Sequence, residues 1–143
     1  MAYWLGIAVR DHVRRGVDGG FAQLGHGRED LIRGLKQGDW LIYYAPREAM
    51  EGGEKVQAFV AVGRVLTEAP YQTEQGAGFH PWRHDIDYVT EAAPVPIREL
   101  LEELDLTRGR GRAWGMAVRG SRVALTEADF RRIIQAMGIS DQV

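Results

Sequence analysis

The sequence predicts an α+β domain built on a mixed, curled β-sheet or small barrel, with short helices packed around it. Three observations carry this. Strand-like stretches rich in aromatic and aliphatic residues recur at uneven intervals. Short amphipathic stretches lie between them, without the regular alternation of a parallel βαβ fold. No GxGxxG fingerprint or P-loop precedes any of these helices, and "GRGRAWG" (Gly109–Gly115) shares only its glycines with a phosphate loop.

"YWLGIAV" reads as the first strand, with Tyr3, Leu5, Ile7 and Val9 on one face and Trp4, Gly6 and Ala8 on the other. "REDLIRGLK" places Leu31, Ile32 and Leu35 on one side of a short helix that Gly38 stops. "DWLIYYAP" is the next strand, with Trp40, Ile42 and Tyr44 facing one way. "VQAFVAVGRVL" is apolar on both faces and is therefore central, with Phe59, Ala61 and Gly63 expected on one face. In "HPWRHDIDYV", Trp82, His84, Ile86 and Tyr88 alternate with Arg83, Asp85 and Asp87, which gives a buried and a wet side. "PIRELLEEL" is predicted as a helix begun by Pro96, with Ile97, Leu100, Leu101 and Leu104 at core spacing. "RVALTEADFRRIIQAMG" predicts a strand running into a helix capped by Thr126. Asp129 completes a weak capping box, and Phe130, Ile133, Ile134 and Met137 form its buried stripe.

The 143 residues suit one domain over 1–143, large enough for a single core. Hydrophobic residues make up 45% and charged residues 27%, as in a folded soluble chain. No apolar run approaches the ~18 residues of a membrane span, and the N-terminus lacks the basic and small-residue marks of a signal peptide. The expectation is a cytoplasmic protein. The absence of cysteine removes disulfides, thiolate metal sites and a thiol nucleophile together. A formal net charge of −2 argues against gripping nucleic acid chiefly through phosphates, but leaves room for reading one base.

An enzyme is not indicated. The only serines, Ser121 and Ser140, lie outside any GxSxG elbow. Asp11 with His12, and His26 with Glu29, are the available acid–base pairs. His80 and His84 have a metal-like spacing that the strand pattern around Pro81 disfavours. No catalytic residue, metal or cofactor is assigned.

The informative stretch is "GGFAQLGHG", Gly19–Gly27. Glycine permits positive φ and close backbone approach, and here it surrounds a Phe, a Gln and a His. One reading is a loop of two turns; the other is a loop that presents Phe21, Gln23 and His26 to a ligand. A second feature is Leu106–Thr126, which carries Arg108, Arg110, Arg112, Arg119 and Arg122 without an acid. It is either a solvated face or an anion-facing patch.

"GGFAQLGHG", "GDWLIYYAP" and "FHPWRHDIDY", with "QAFVAVGRV" and "AWGMAVRGSRVALTEADFRRI", together resemble the EVE domain over nearly the whole chain. That family is PUA-like and related to YTH domains. The resemblance implies a barrel-like mixed sheet, no catalysis, and a pocket for a modified, for example methylated, base in DNA or RNA. A base pocket needs aromatic walls and polar groups aimed at the base edge. Phe21, Trp40, Tyr44 and Trp82 are the candidate rings, Gln23, His26 and His12 the candidate readers, and Arg83, Arg108, Arg110 and Arg112 the candidate phosphate contacts. The chain departs from the family pattern at Val9 and Ala45, where hydroxyl residues are common, and at His84, where an arginine is usual. The alternative ligand is a small anionic metabolite held, or processed, by His12, His26 and Arg83. A third option, a protein-interaction domain, requires an exposed apolar patch.

Overall fold

Tyr3–Ile7 forms β1, and its alternation sets the plan of the molecule, because each face of the sheet is covered by a different core. The computed structural model describes residues 1–143. After β1 come α1 (Arg10–Gly19), β2 (Phe21–Ala22), α2 (Glu29–Ile32), β3 (Trp40–Arg47), β4 (Lys55–Val65), β5 (Tyr71–Gln72), β6 (Trp82–Tyr88), β7 (Val95–Pro96), β8 (Arg122–Leu125) and α3 (Glu127–Ala136). The sheet runs β2-β6-β4-β3-β1-β8, with β5 on β6 and β7 on β4. β1 and β3 are parallel and every other pair is antiparallel. The result is a mixed, curled half-barrel with a few short helices.

Leu5, Ile42, Tyr44, Phe59 and Val62 pack with Phe130, Ile133, Ile134 and Met137 of α3 in the larger core. On the other face Leu41, Tyr43, Ala61, Val65 and Ile86 pack with Val13 of α1, Leu24, Ile32 and Leu35. Gly6 is required here: a Cβ at this position would lie 2.8 Å from Cε1 of Tyr43. Beneath β1, buried Asp39 accepts hydrogen bonds from the Ala2 and Lys36 amides and from Trp4 Nε1, each at 2.9 Å. That hub joins the start of β1 to the turn before β3.

Three expectations are corrected, and one element was not anticipated. Arg10–Gly19, not singled out as an element in the sequence, is a full helix. Phe59 does not share a face with Ala61, because the register steps from Tyr43↔Ala61 to Tyr44↔Phe59 and leaves Val60 as a bulge. The segment after Pro96 makes only a 3₁₀ turn, Ile97–Glu99, followed by turns, although Ile97, Leu100 and Leu104 are buried as their spacing requires. Helix α2 is a single turn, yet Ile32 and Leu35 still reach the core. At α3, Thr126 Oγ1 accepts from the Asp129 amide at 3.1 Å, as a cap should. Asp129 itself is buried and accepts from the Asp105 and Leu106 amides at 2.7 and 2.9 Å. It therefore ties α3 to the preceding loop rather than closing a capping box.

Candidate functional site

The glycine-rich stretch turns around a single carbonyl. Leu24 O accepts from the amides of Gly27 and Arg28 at 3.0 and 3.1 Å, while Gly25, His26 and Gly27 all adopt left-handed φ, of 55°, 61° and 83°. A Cβ on Gly27 would collide with Pro81, and Gly27 O accepts from the Trp82 amide at 2.9 Å, so the turn is locked to the start of β6. His26 holds the same conformation with a side chain, at a cost of roughly 1–2 kcal/mol. Strain of this kind concentrates at functional positions, and His26 projects its ring, exposed, into a groove.

That groove has two chambers. The inner one, inner in lying against the strands though no more enclosed than the other, has about 360 Å³ where β1 and β3 end and β8 begins; Ile7, Ala8, Val9, Pro46 and the exposed Met50 give it an apolar wall, with Gly120 and Ser121 beside them. The outer one, about 300 Å³, is bounded by Phe21, Gln75 and Phe79. His12, Arg15, Gln23 and His26 line both, and no carboxylate lines either.

Gln23 is the fixed element of the shared wall. It is buried, and its side-chain oxygen accepts from Arg83 Nε at 2.8 Å while its amide nitrogen donates to Gln75 Oε1 at 3.4 Å. The guanidinium of Arg83 also lies over the Phe21 ring, 3.7 Å from its centroid. A guanidinium only donates, so the carboxamide oxygen must face Arg83 and the NH₂ group faces away from it. His12 Nε2 sits 3.2 Å from the Gln23 carbonyl, which only accepts, so Nε2 carries the proton and Nδ1 remains an acceptor. Burial lowers the pKa of His12; its bond to Gln23 opposes that shift, and His26 and Arg15 reinforce it. Tyr43 OH donates to the same carbonyl at 3.3 Å, and burial raises its pKa well beyond the usual phenol range.

The structure thus brings together His12, Phe21, Gln23, His26 and Arg83. Trp40 and Tyr44 lie on the opposite face of β3, where Trp40 packs on Phe130 and Tyr44 is a buried member of the α3-side core. They are not walls of this groove. Trp82 is half-buried against the α1-side core and lines neither chamber. Arg108 pairs with Asp105 at 2.7 Å and Arg110 Nε donates to the Leu106 carbonyl at 3.0 Å, while Arg112 is exposed; none lines the groove. Arg122 turns inward, donating to Leu31 O at 2.8 Å with its guanidinium over Trp4. The alternation misled here because both faces of the sheet are covered. Arg15, Ser121, Met50 and Phe79 were missed. Arg15 faces the groove from the unforeseen helix α1 and makes no ion pair.

Neither acid–base pair forms. His12 bonds to backbone, and Glu29 pairs with Arg33 at 3.2 Å. His84 is buried with both ring nitrogens engaged, Nδ1 to Thr67 Oγ1 at 2.6 Å and Nε2 to Leu35 O at 3.1 Å, while His80 is exposed on the preceding loop. No three His, Cys, Asp or Glu side chains converge as a metal site, and no helix is long and apolar enough to cross a membrane.

Comparison with known proteins agrees with this architecture. A UPF0310 protein of Mycolicibacterium vanbaalenii is 39% identical over 137 residues, which cover 96% of this chain and 93% of that one. One from Mesorhizobium japonicum is 42% identical over 139 residues, covering 96% and 92%. Among solved structures, an NMR structure of a Rhodopseudomonas palustris protein superposes with a TM-score of 0.60 at 20% identity, covering 97% of this chain and 94% of that one. The YTH domain-containing protein Mmi1, in complex with RNA, superposes at 0.61 with 10% identity, covering 99% and 85%. These likenesses place the fold among the PUA-like folds. With the EVE domain family model matching residues 2–136, the chain belongs to the EVE domain family.

Proposed function

We propose that this domain binds DNA or RNA and takes one modified base, such as a methylated one, into the inner chamber, without catalysing a reaction on it. The observation that carries the reading is the fixed orientation of Gln23. A buried carboxamide whose oxygen is held by Arg83, and one of whose N–H groups is given to Gln75, offers its second N–H as a pre-set donor to a base edge, and pre-setting avoids the entropy of ordering it on binding. The apolar wall of Ile7, Val9 and Pro46 gives a methyl substituent a surface to bury against, worth about 0.8 kcal/mol per carbon. The shared fold with a YTH domain solved with RNA supports nucleic acid as the partner class. A groove without carboxylates suits a polyanion.

The test is fluorescence anisotropy with labelled single-stranded oligonucleotides that differ only in one methylated or unmodified cytosine or adenine. Tighter binding of one methylated form, lost in Gln23→Ala but with weak binding of the unmodified strand retained, supports the reading. Equal binding of all strands, or equal loss in the variant, contradicts base reading. The carboxylate-free wall with Arg15 unpaired also favours a second reading, a small anionic metabolite. Failure of every oligonucleotide to bind the folded protein would favour it.

A further inference from the structure

The groove is larger than one base needs, and its two chambers differ in chemistry. The inner chamber has an aliphatic wall facing polar side chains, the outer one is bounded by two aromatic rings, and the only arginine or lysine lining both is Arg15, whose guanidinium is unpaired. Phe79 is among the large hydrophobic residues left exposed, at 43%. It is nevertheless held in place: Phe79 N donates to Gly76 O and Gln75 N to Phe79 O, both at 2.9 Å, closing a tight turn. Gln75 then links that turn to Gln23 at the shared wall. A solvent-facing ring on a closed turn that borders a cavity matches what stacking on a nucleobase requires, since every base offers a π-face. Phe21, backed by the Arg83 guanidinium, bounds the same chamber.

We propose that the groove holds two consecutive nucleotides: the modified base in the inner chamber, the neighbouring base stacked on Phe79 in the outer chamber, and the linking phosphate at Arg15 between them. This rests on the reading of the groove as a nucleic-acid site and specifies its footprint. Selectivity at the outer position is weak, because stacking reads a face rather than an edge. The bridging phosphate meets a guanidinium that no carboxylate neutralises.

The experiment is calorimetric titration with three probes carrying the same methylated base: the nucleoside, its monophosphate, and the dinucleotide extended on the phosphate side. The dinucleotide is expected to bind about tenfold tighter than the monophosphate, the factor that one stacked base supplies at the lower end of its range. Phe79→Ala, at an exposed position, should erase that factor and leave the monophosphate affinity unchanged, and Phe79→Tyr should keep it. Arg15→Gln should weaken the monophosphate and dinucleotide alike and spare the nucleoside. A dinucleotide no tighter than the monophosphate, or equal losses for both in Phe79→Ala, overturns the two-nucleotide footprint while leaving base binding standing. If none of the probes binds, the nucleic-acid reading of the groove falls with it.

Discussion

Replacing Arg83 with lysine separates two roles that one arginine can play. The structure assigns Arg83 to orientation: its Nε donates to Gln23 Oε1 at 2.8 Å and its plane covers Phe21. Lysine keeps the charge but has neither the rigid fork nor the flat face. The lost charge-assisted hydrogen bond is worth about 1.5–3 kcal/mol, towards the low end for a half-exposed group, and the lost stacking about 0.5–1 kcal/mol. The ammonium recovers part of this through looser contacts, so Arg83→Lys should lower unfolding stability by about 1–2 kcal/mol, read from urea midpoints. Binding should suffer in a specific way. Once the pin is gone, the Gln23 carboxamide can present its oxygen as readily as its NH₂, and the base loses about one hydrogen bond. That amounts to roughly a tenfold rise in Kd for the methylated strand. Because the charge is retained, the slope of log K against log salt should not change. Anisotropy titrations at several salt concentrations measure both quantities. Unchanged affinity in Arg83→Lys, with a salt slope reduced by about one in Arg83→Gln, would make Arg83 a phosphate contact and refute the orientation argument.

His26→Gly should raise stability by about 0.5–1 kcal/mol, the relief of left-handed strain less the added chain entropy of glycine, while weakening ligand binding; a lower urea midpoint would show that His26 is unstrained. Burial lowers the pKa of both His12 and His84. The unfolded chain therefore takes up protons first, and stability present above pH ~6.5 should be lost as pH falls through the lowered folded-state values. Urea midpoints at stepped pH should show this fall, and His12→Asn should make it shallower; equal slopes would remove His12 from the account. Gly63→Ala puts a Cβ 2.9 Å from Asp87 O and 3.0 Å from Cδ1 of Tyr88, and should cost about 1–3 kcal/mol by overpacking the central strand, again by urea unfolding.

Much of the sheet was legible because its signal is local. The faces of β1, β3 and β6 follow from alternation, and the α3 stripe and cap follow from spacing. Helix α1 was not legible: "RDHVRRGVDG" contains two glycines, has no side-chain cap, and buries only Val13 and Gly16, so its folding depends on packing against the sheet. The Val60 bulge left no mark in a stretch that is apolar on both faces. That Gln23 and His26 line one groove was legible because polar side chains in a glycine-rich turn have few other uses. Trp40 and Tyr44 were misplaced because a sheet with two cores offers its aromatic residues two burial sites, and composition does not distinguish core from groove. Arg15 was out of reach until α1 was known, since only its position in that helix points it at His12 and Gln23.

On the proposed reading the ligand sits in the groove between the 21–27 turn and the start of β8. Amide NMR spectra of the labelled protein, recorded while titrating a short strand carrying one methylated base, test it directly. The largest shifts are expected on Val9, Gln23, Gly25, His26, Gly120 and Ser121, with smaller ones at Phe79. Shifts centred on Trp40 and Tyr44, or on the 108–112 arginines with the groove unmoved, would contradict it.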